Sequence, residues 1–389
     1  MTVPDGAKGA RTLPQPDPAA RARSAALAAH IRARIGAAGG RIGFDDYMEA
    51  ALYTPGLGYY SAGAAQLGRQ GDFVTAPGLG SLYARCLARA AATVLHALGG
   101  GEVLEFGPGD GALAAALLPE LQRLGAPVHG YRAVERSAAL AQVQRQALAG
   151  VGWTGRAQWL DRLPDAFTGV VIANEVLDAL PVRRYRMTAA GPAELYVGLD
   201  GDGFAYTQGP ARDAGAVALL GRLDLPVGYE TEVSPAAGAW VRTVAAMLAA
   251  GAALVVDYGY PRAVYYHPQR TAGTLRGYAL QQAHDDPFRW PGLSDLTAHV
   301  DFTALAEAAV QAGATLLGYA PQADFLIGSG LTEVLAGTDP HDPAYGALAR
   351  EARLLVLPAH MGEAFGVLGF ARGVDVALPG FMRDHRHRL

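Results

Sequence analysis

Four short apolar runs stand out along the chain: Glu102–Phe106, Tyr131–Val134, Gly169–Ala173 and 252–257. Each is too short for a helix and too uniformly apolar for a strand with one wet face, so each reads as a strand buried on both sides. Ala/Leu-rich segments of helical spacing separate them. The alternation predicts an α/β fold, a doubly wound, Rossmann-like parallel sheet wrapped by helices. Every run is followed at its carboxyl side by Gly, Asn, Asp or Glu, or ends in Asp. That edge of an open sheet is where ligands bind.

The remaining patterning sets the domain organisation. Residues 1–23 read as a disordered tail, because they are rich in Ala, Pro and Arg and carry no apolar stretch. A helix is expected from Ser24 to about Ala38, stopped by Gly39 and Gly40. "FDDYMEAALYTPGLGYYSAG" predicts a short helix and a Pro/Gly turn, and "GDFVTAPGLGSLYARCLARAAATVLHAL" a loop entering a long helix. Residues 24–100 are taken as an N-terminal helical region on the substrate side, and 101–389 as the core. Spans of about 183–250 and 258–300 exceed a simple crossover. They are expected to be insertions forming a second, substrate-binding lobe.

Composition narrows the classes. A chain of 389 residues, 51% hydrophobic and 17% charged, supports a sizeable core. The formal net charge of −4 argues against a phosphate-tracking surface, so nucleic acid is not an expected partner. Cys86 stands alone, which excludes an internal disulfide and a multi-cysteine zinc site and leads to the expectation of a cytoplasmic protein. No apolar run reaches membrane-spanning length. The histidines of "RDHRHRL" read as a solvated pair, and no metal is assigned.

The chemistry begins at "LEFGPGDGALA". Gly107, Gly109 and Gly111 follow a strand and open a helix, so the backbone turns sharply and presents N–H groups to a ligand. Spacing alone also satisfies the dinucleotide fingerprint, which leaves a NAD-dependent oxidoreductase open. Charge discriminates. Glu105 and Asp110 would repel a pyrophosphate, whereas S-adenosylmethionine carries an ammonium and a sulfonium that gain from nearby carboxylates. Glu135, closing the second strand, is placed to accept hydrogen bonds from two ribose hydroxyls.

"ALYTPGLGYY", "GDFVTAP", "LEFGPGDGALA", "ANEVLDALPV", "LVVDYGY" and "PGLSDLTAHVDF" occur in the order found in the MidA-like family of S-adenosylmethionine-dependent methyltransferases, and the chain resembles that family from about Phe44 to Phe302. The resemblance implies a class I methyltransferase core with an added substrate-binding part. Through the family's mitochondrial complex I assembly member it also implies symmetric dimethylation of a protein arginine, in a 49-kDa-type subunit of respiratory complex I. Family members usually carry an acid after "TAP"; here Gly78 stands at that place and is assigned to the cofactor pocket. The irregular "ALQQAH" replaces a family histidine. A homodimer, or a non-catalytic cofactor-binding assembly chaperone, is compatible with the same residues.

A guanidinium is protonated in water, so carboxylates must orient it. "ANEVLDALP" supplies Asn174, Glu175 and Asp178, the two acids sharing one face if the segment turns helically. Asp257, His299 and Asp301 are further catalytic candidates from the insertions, while Asp295 also reads as a simple helix cap. Tyr53, Tyr59 and Tyr60 either line a channel or pack the N-terminal part onto the core.

Overall fold

The computed structural model describes residues 14–62, 76–279 and 282–389. The first thirteen residues of the expected tail, positions 71–75 of "GDFVTAP" and 280–281 of "ALQQAH" lie outside them.

The central sheet is numbered here in chain order: β1 Gly101–Phe106, β2 Val128–Val134, β3 Ala157–Trp159, β4 Phe167–Asn174, β5 Leu248–Tyr260, β6 Thr315–Pro321 and β7 Phe365–Arg372. Their spatial order is 3-2-1-4-5-7-6, with β7 antiparallel to both neighbours and the others parallel. This is the doubly wound sheet that the apolar runs predicted, with chain reversal between β1 and β4, and it agrees with the class I methyltransferase core that the resemblance implied. Sequence reading had β1, β2, β4 and β5 and missed β3, β6 and β7.

Both faces of the sheet are covered, which is why the runs are apolar throughout. Val103, Val170, Ile172, Leu254 and Val256 point into a core shared with the helices Leu82–Leu98 and Ala112–Arg123. Leu104, Val171, Ala173, Ala253 and Val255 point the other way, against Pro235–Met247 and Phe302–Gln311. The alternation is the period of two that a pleated strand imposes.

A second lobe stands over the carboxyl edge. Arg183–Thr188, Gly191–Asp200, Gly203–Gly209 and Glu230–Val233 form an antiparallel sheet that the N-terminal strand Arg41–Gly43 joins. Arg276–Ala279, Gln282–His284 and Asp295–Thr297 form a smaller one. A separate core containing Leu27, Ile31, Phe44, Tyr47, Val197 and Leu296 ties the N-terminal helices to both insertions.

Two boundaries differ from expectation. The first helix spans Pro18–Ala37, because Asp17 accepts a hydrogen bond from the Ala20 N–H at 2.8 Å and Pro18 suits the first turn. The region 24–100 also divides: Leu82–Leu98 packs on the central sheet, since its apolar stripe is buried with Val103 and Leu113. Only the part before it belongs to the second lobe.

Candidate active site

Strand register brings the predicted residues to one place. Phe106 of β1 pairs with Ala173 of β4 and Val134 of β2. Gly107, Asn174 and Glu135, the residues that follow each, therefore leave the sheet on the same rung. They open into a cavity of about 370 Å3 between the sheet edge and the second lobe.

One end of the cavity is built for a nucleoside. Gly107, Gly109 and Gly111 all have positive φ, at 57°, 61° and 83°. This is left-handed backbone that glycine adopts without penalty. Asp110 Oδ1 accepts from the Ala112 N–H at 3.0 Å and starts the following helix. Glu105 is buried and accepts from the Tyr131 hydroxyl at 2.7 Å. Burial lifts its carboxyl to about 7, opposed by the Tyr131 hydrogen bond and reinforced by Asp110 and Glu135. Glu135 accepts from the Ser137 N–H at 2.8 Å and the Gln144 side-chain amide at 2.8 Å, and burial raises its pKa. Each Glu135 oxygen has a second acceptor position for a ribose hydroxyl. Glycines without side chains, an acid for the ribose and two acids for an ammonium and a sulfonium fit S-adenosylmethionine.

Acids also crowd the other end. Glu175, Asp178 and Asp295 line the same cavity, walled by Tyr53, Tyr59 and Tyr60. Glu175 is held at φ 54°, a conformation that costs a non-glycine residue about 1 kcal/mol or more. Its carboxylate accepts from the Asn174 amide at 3.2 Å and from the Ala76 backbone. Asn174 in turn accepts from the Tyr83 hydroxyl. Burial pushes Glu175 up to about 8, with Asp257 adding repulsion. Asp178 is raised by burial first, then by Asp257, Asp295 and Glu175. The Tyr60 hydroxyl lies 2.9 Å from both Asp295 oxygens and donates to that carboxylate. Asp295 is a strand residue, and the reading of it as a helix cap is corrected. Arg136, which lines the cavity, pairs with Glu49 at 2.9 Å and covers the Tyr53 ring at 4.2 Å, joining the helix Phe44–Tyr53 to the cofactor edge.

Several expected site residues lie elsewhere. Asp257 is fully buried behind the cavity, its oxygens taken up by backbone N–H groups of Val176, Leu177, Asp178 and Tyr258. Asp301 caps the helix Phe302–Gln311 through Ala304 and pairs with Arg262 at 3.3 Å. His299 borders a separate cavity of about 60 Å3 together with Asp301 and Glu232. Burial depresses its pKa to about 4, so it is neutral, and it stacks near Tyr258 and Tyr260. Gly78 lies in the short helix Ala76–Leu79, from which Pro77 lines the cavity. Sequence reasoning missed Gln144 and Trp159, which sit outside every motif. Among the described residues no His/Cys/Asp/Glu cluster has metal-binding geometry.

Residues 86–320 match the family model of S-adenosyl-L-methionine-dependent methyltransferases. A Burkholderia thailandensis protein crystallised with S-adenosyl-homocysteine is 48% identical, with a TM-score of 0.94 over 97% of this chain and 100% of that one. The mitochondrial protein arginine methyltransferase NDUFAF7 of Danio rerio is 31% identical over 88% of this chain and 87% of its own length. Its Homo sapiens counterpart is 28% identical over 84% and 79%. The chain belongs to the MidA-like family of S-adenosylmethionine-dependent methyltransferases. It is a methyltransferase that uses S-adenosylmethionine. The cytoplasmic placement is overturned, because the Danio rerio and Homo sapiens relatives are named as mitochondrial proteins. A lone buried Cys86 excludes an internal disulfide without telling one reducing compartment from another.

Proposed function

We propose that this methyltransferase acts on the guanidinium of a protein arginine, held by Glu175, Asp178 and Asp295. The supporting observation is the segregation of acids within one cavity: Glu105, Asp110 and Glu135 at the glycine-loop end, and Glu175, Asp178 and Asp295 beneath the tyrosine wall. Crowded buried carboxylates repel one another, and a permanently charged, planar cation relieves that repulsion while accepting bidentate contacts. When bound, S-adenosylmethionine supplies an electrophilic methyl group. Gly107, Gly109, Glu135, Glu105 and Asp110 are the residues to hold it.

Replacing an N–H by N–CH3 on a guanidinium that stays cationic releases one proton. Burial raises the Glu175 carboxyl to about 8, and a bound guanidinium favours its ionised form again, from which it takes that proton. Asp178 and Asp295 keep the cation oriented and exclude other poses. Asn174 steadies Glu175, and Asp257 fixes the turn that carries it. The roles differ from expectation for His299, which borders the separate small cavity, and for Asp301, which caps the helix Phe302–Gln311 on the central sheet.

The Danio rerio and Homo sapiens relatives are named as protein arginine methyltransferases, and the sequence resemblance points to a complex I subunit of the 49-kDa type as the target. Mass spectrometry of arginine methylation in cells with the protein, without it, and with Asp178→Asn tests this. Loss of methylarginine at one site in both altered strains is expected. Unchanged methylation would leave the substrate assignment wrong and favour a purely chaperoning role.

A further inference from the structure

We propose that Gln144 is a positioning residue of the cofactor site: oriented by Trp159, its side-chain amide holds the Glu135 carboxylate and the Gly109 carbonyl in one fixed arrangement. The inference rests on the assignment of Glu135 to the ribose.

Gln144 lies in the helix Ala138–Gly150 and is 1% exposed. Its amide nitrogen donates to Gly109 O at 2.9 Å and to Glu135 Oε2 at 2.8 Å, while its oxygen accepts from Trp159 Nε1 at 2.7 Å. An indole nitrogen is only ever a donor, so it decides which way the amide faces. With the oxygen committed to Trp159, both amide hydrogens must point at the loop and the acid. The glycine loop makes room for this. A Cβ on Gly111 would stand 3.2 Å from Gln144 Cα and 3.3 Å from Ala147 Cβ, so the helix approaches only because position 111 has no side chain. Strand β3 thereby reaches the cofactor site through Trp159 without touching a ligand.

The arrangement does two things. It fixes the rotamer of Glu135, leaving the outward lone pairs for two hydroxyls. It also favours the ionised form of a carboxylate that burial disfavours. The charged or titratable groups around Glu135 are Glu105 and Tyr131 from β1 and β2, Asp110 from the loop, Arg136 beside it, and Arg145 stacked 4.6 Å over Trp159. Among them Gln144 is the neutral side chain that donates to Glu135, while Tyr131 donates to Glu105.

Titration calorimetry with S-adenosyl-homocysteine on the full chain tests the idea, at pH 8 and pH 6, with Tm recorded for each variant. Gln144→Leu should weaken binding about tenfold at pH 8 and several-fold more at pH 6, because Glu135 then takes up a proton more readily. Trp159→Phe should weaken it about threefold with the same pH trend, since the amide is freed to flip. If Gln144→Leu does not fold, Trp159→Phe decides. Binding within about twofold of the parent at both pH values in folded variants would overturn the proposal. Glu135→Ala separates the two layers: if it binds normally, the ribose assignment is wrong, and if it alone loses affinity, only the role of Gln144 is wrong.

Discussion

Asp257 Oδ2 accepts a 2.8 Å hydrogen bond from the backbone N–H of Leu177, and the same oxygen takes those of Val176 and Asp178. A carboxylate of β5, three residues before the strand's end, therefore shapes the turn that carries Glu175 and Asp178 into the cavity. Asp257→Ala leaves three buried N–H groups without that acceptor and should destabilise the fold by about 3 kcal/mol. Urea denaturation checks it. A catalytic Asp257 would instead lose rate with unchanged stability.

Gly109 sits at φ 61° on the cavity wall. Gly109→Val puts a branched side chain both into a left-handed conformation and into the ligand's space. It should lower stability by about 1 to 2 kcal/mol while abolishing S-adenosylmethionine binding in the folded protein. Calorimetry on the purified variant decides, and normal affinity would remove the loop from the cofactor site.

Glu175 makes stability fall with rising pH. Burial and Asp257 raise its carboxyl to about 8 in the native state, against an ordinary value of 4.5. Between those values the native chain keeps a proton that the unfolded chain has lost, so stability is lost as pH rises through that window and the effect vanishes below it. Glu175→Gln should therefore be more stable than the parent by about 1 to 2 kcal/mol at pH 8 and equal to it at pH 4, yet inactive. Denaturation curves at the two pH values show whether the slope belongs to this residue.

Much of this site was legible in the chain itself. Runs such as Gly169–Ala173 had to be strands because their residues face two cores, and the glycines at 107, 109 and 111 mark a close backbone approach. What was not legible depends on contacts made across the sequence. Asp257 ends an apolar strand like a site residue, and only the fold shows its oxygens spent on another segment's backbone. Gln144 looks like any helical glutamine until Trp159 is brought beside it. Asp295 has a helix-cap spacing, but Arg276–Ala279 pairs with its segment and makes it a strand. The reversed strand β7 alternates too little from its surroundings to announce its direction.

The central claim is that one cavity holds two acid clusters with separate tasks, and Asp178→Asn tests it most directly. Asp178 is buried among Glu175, Asp257 and Asp295, away from the glycine loop's own acids. Methyl transfer to protein arginine and S-adenosylmethionine affinity are measured on the same folded preparation. The account predicts affinity within about twofold of the parent and a rate lower by a hundred- to a thousand-fold, roughly the loss of one charge partner from a water-excluded site. Affinity that collapses together with the rate, or a rate that holds, would contradict it.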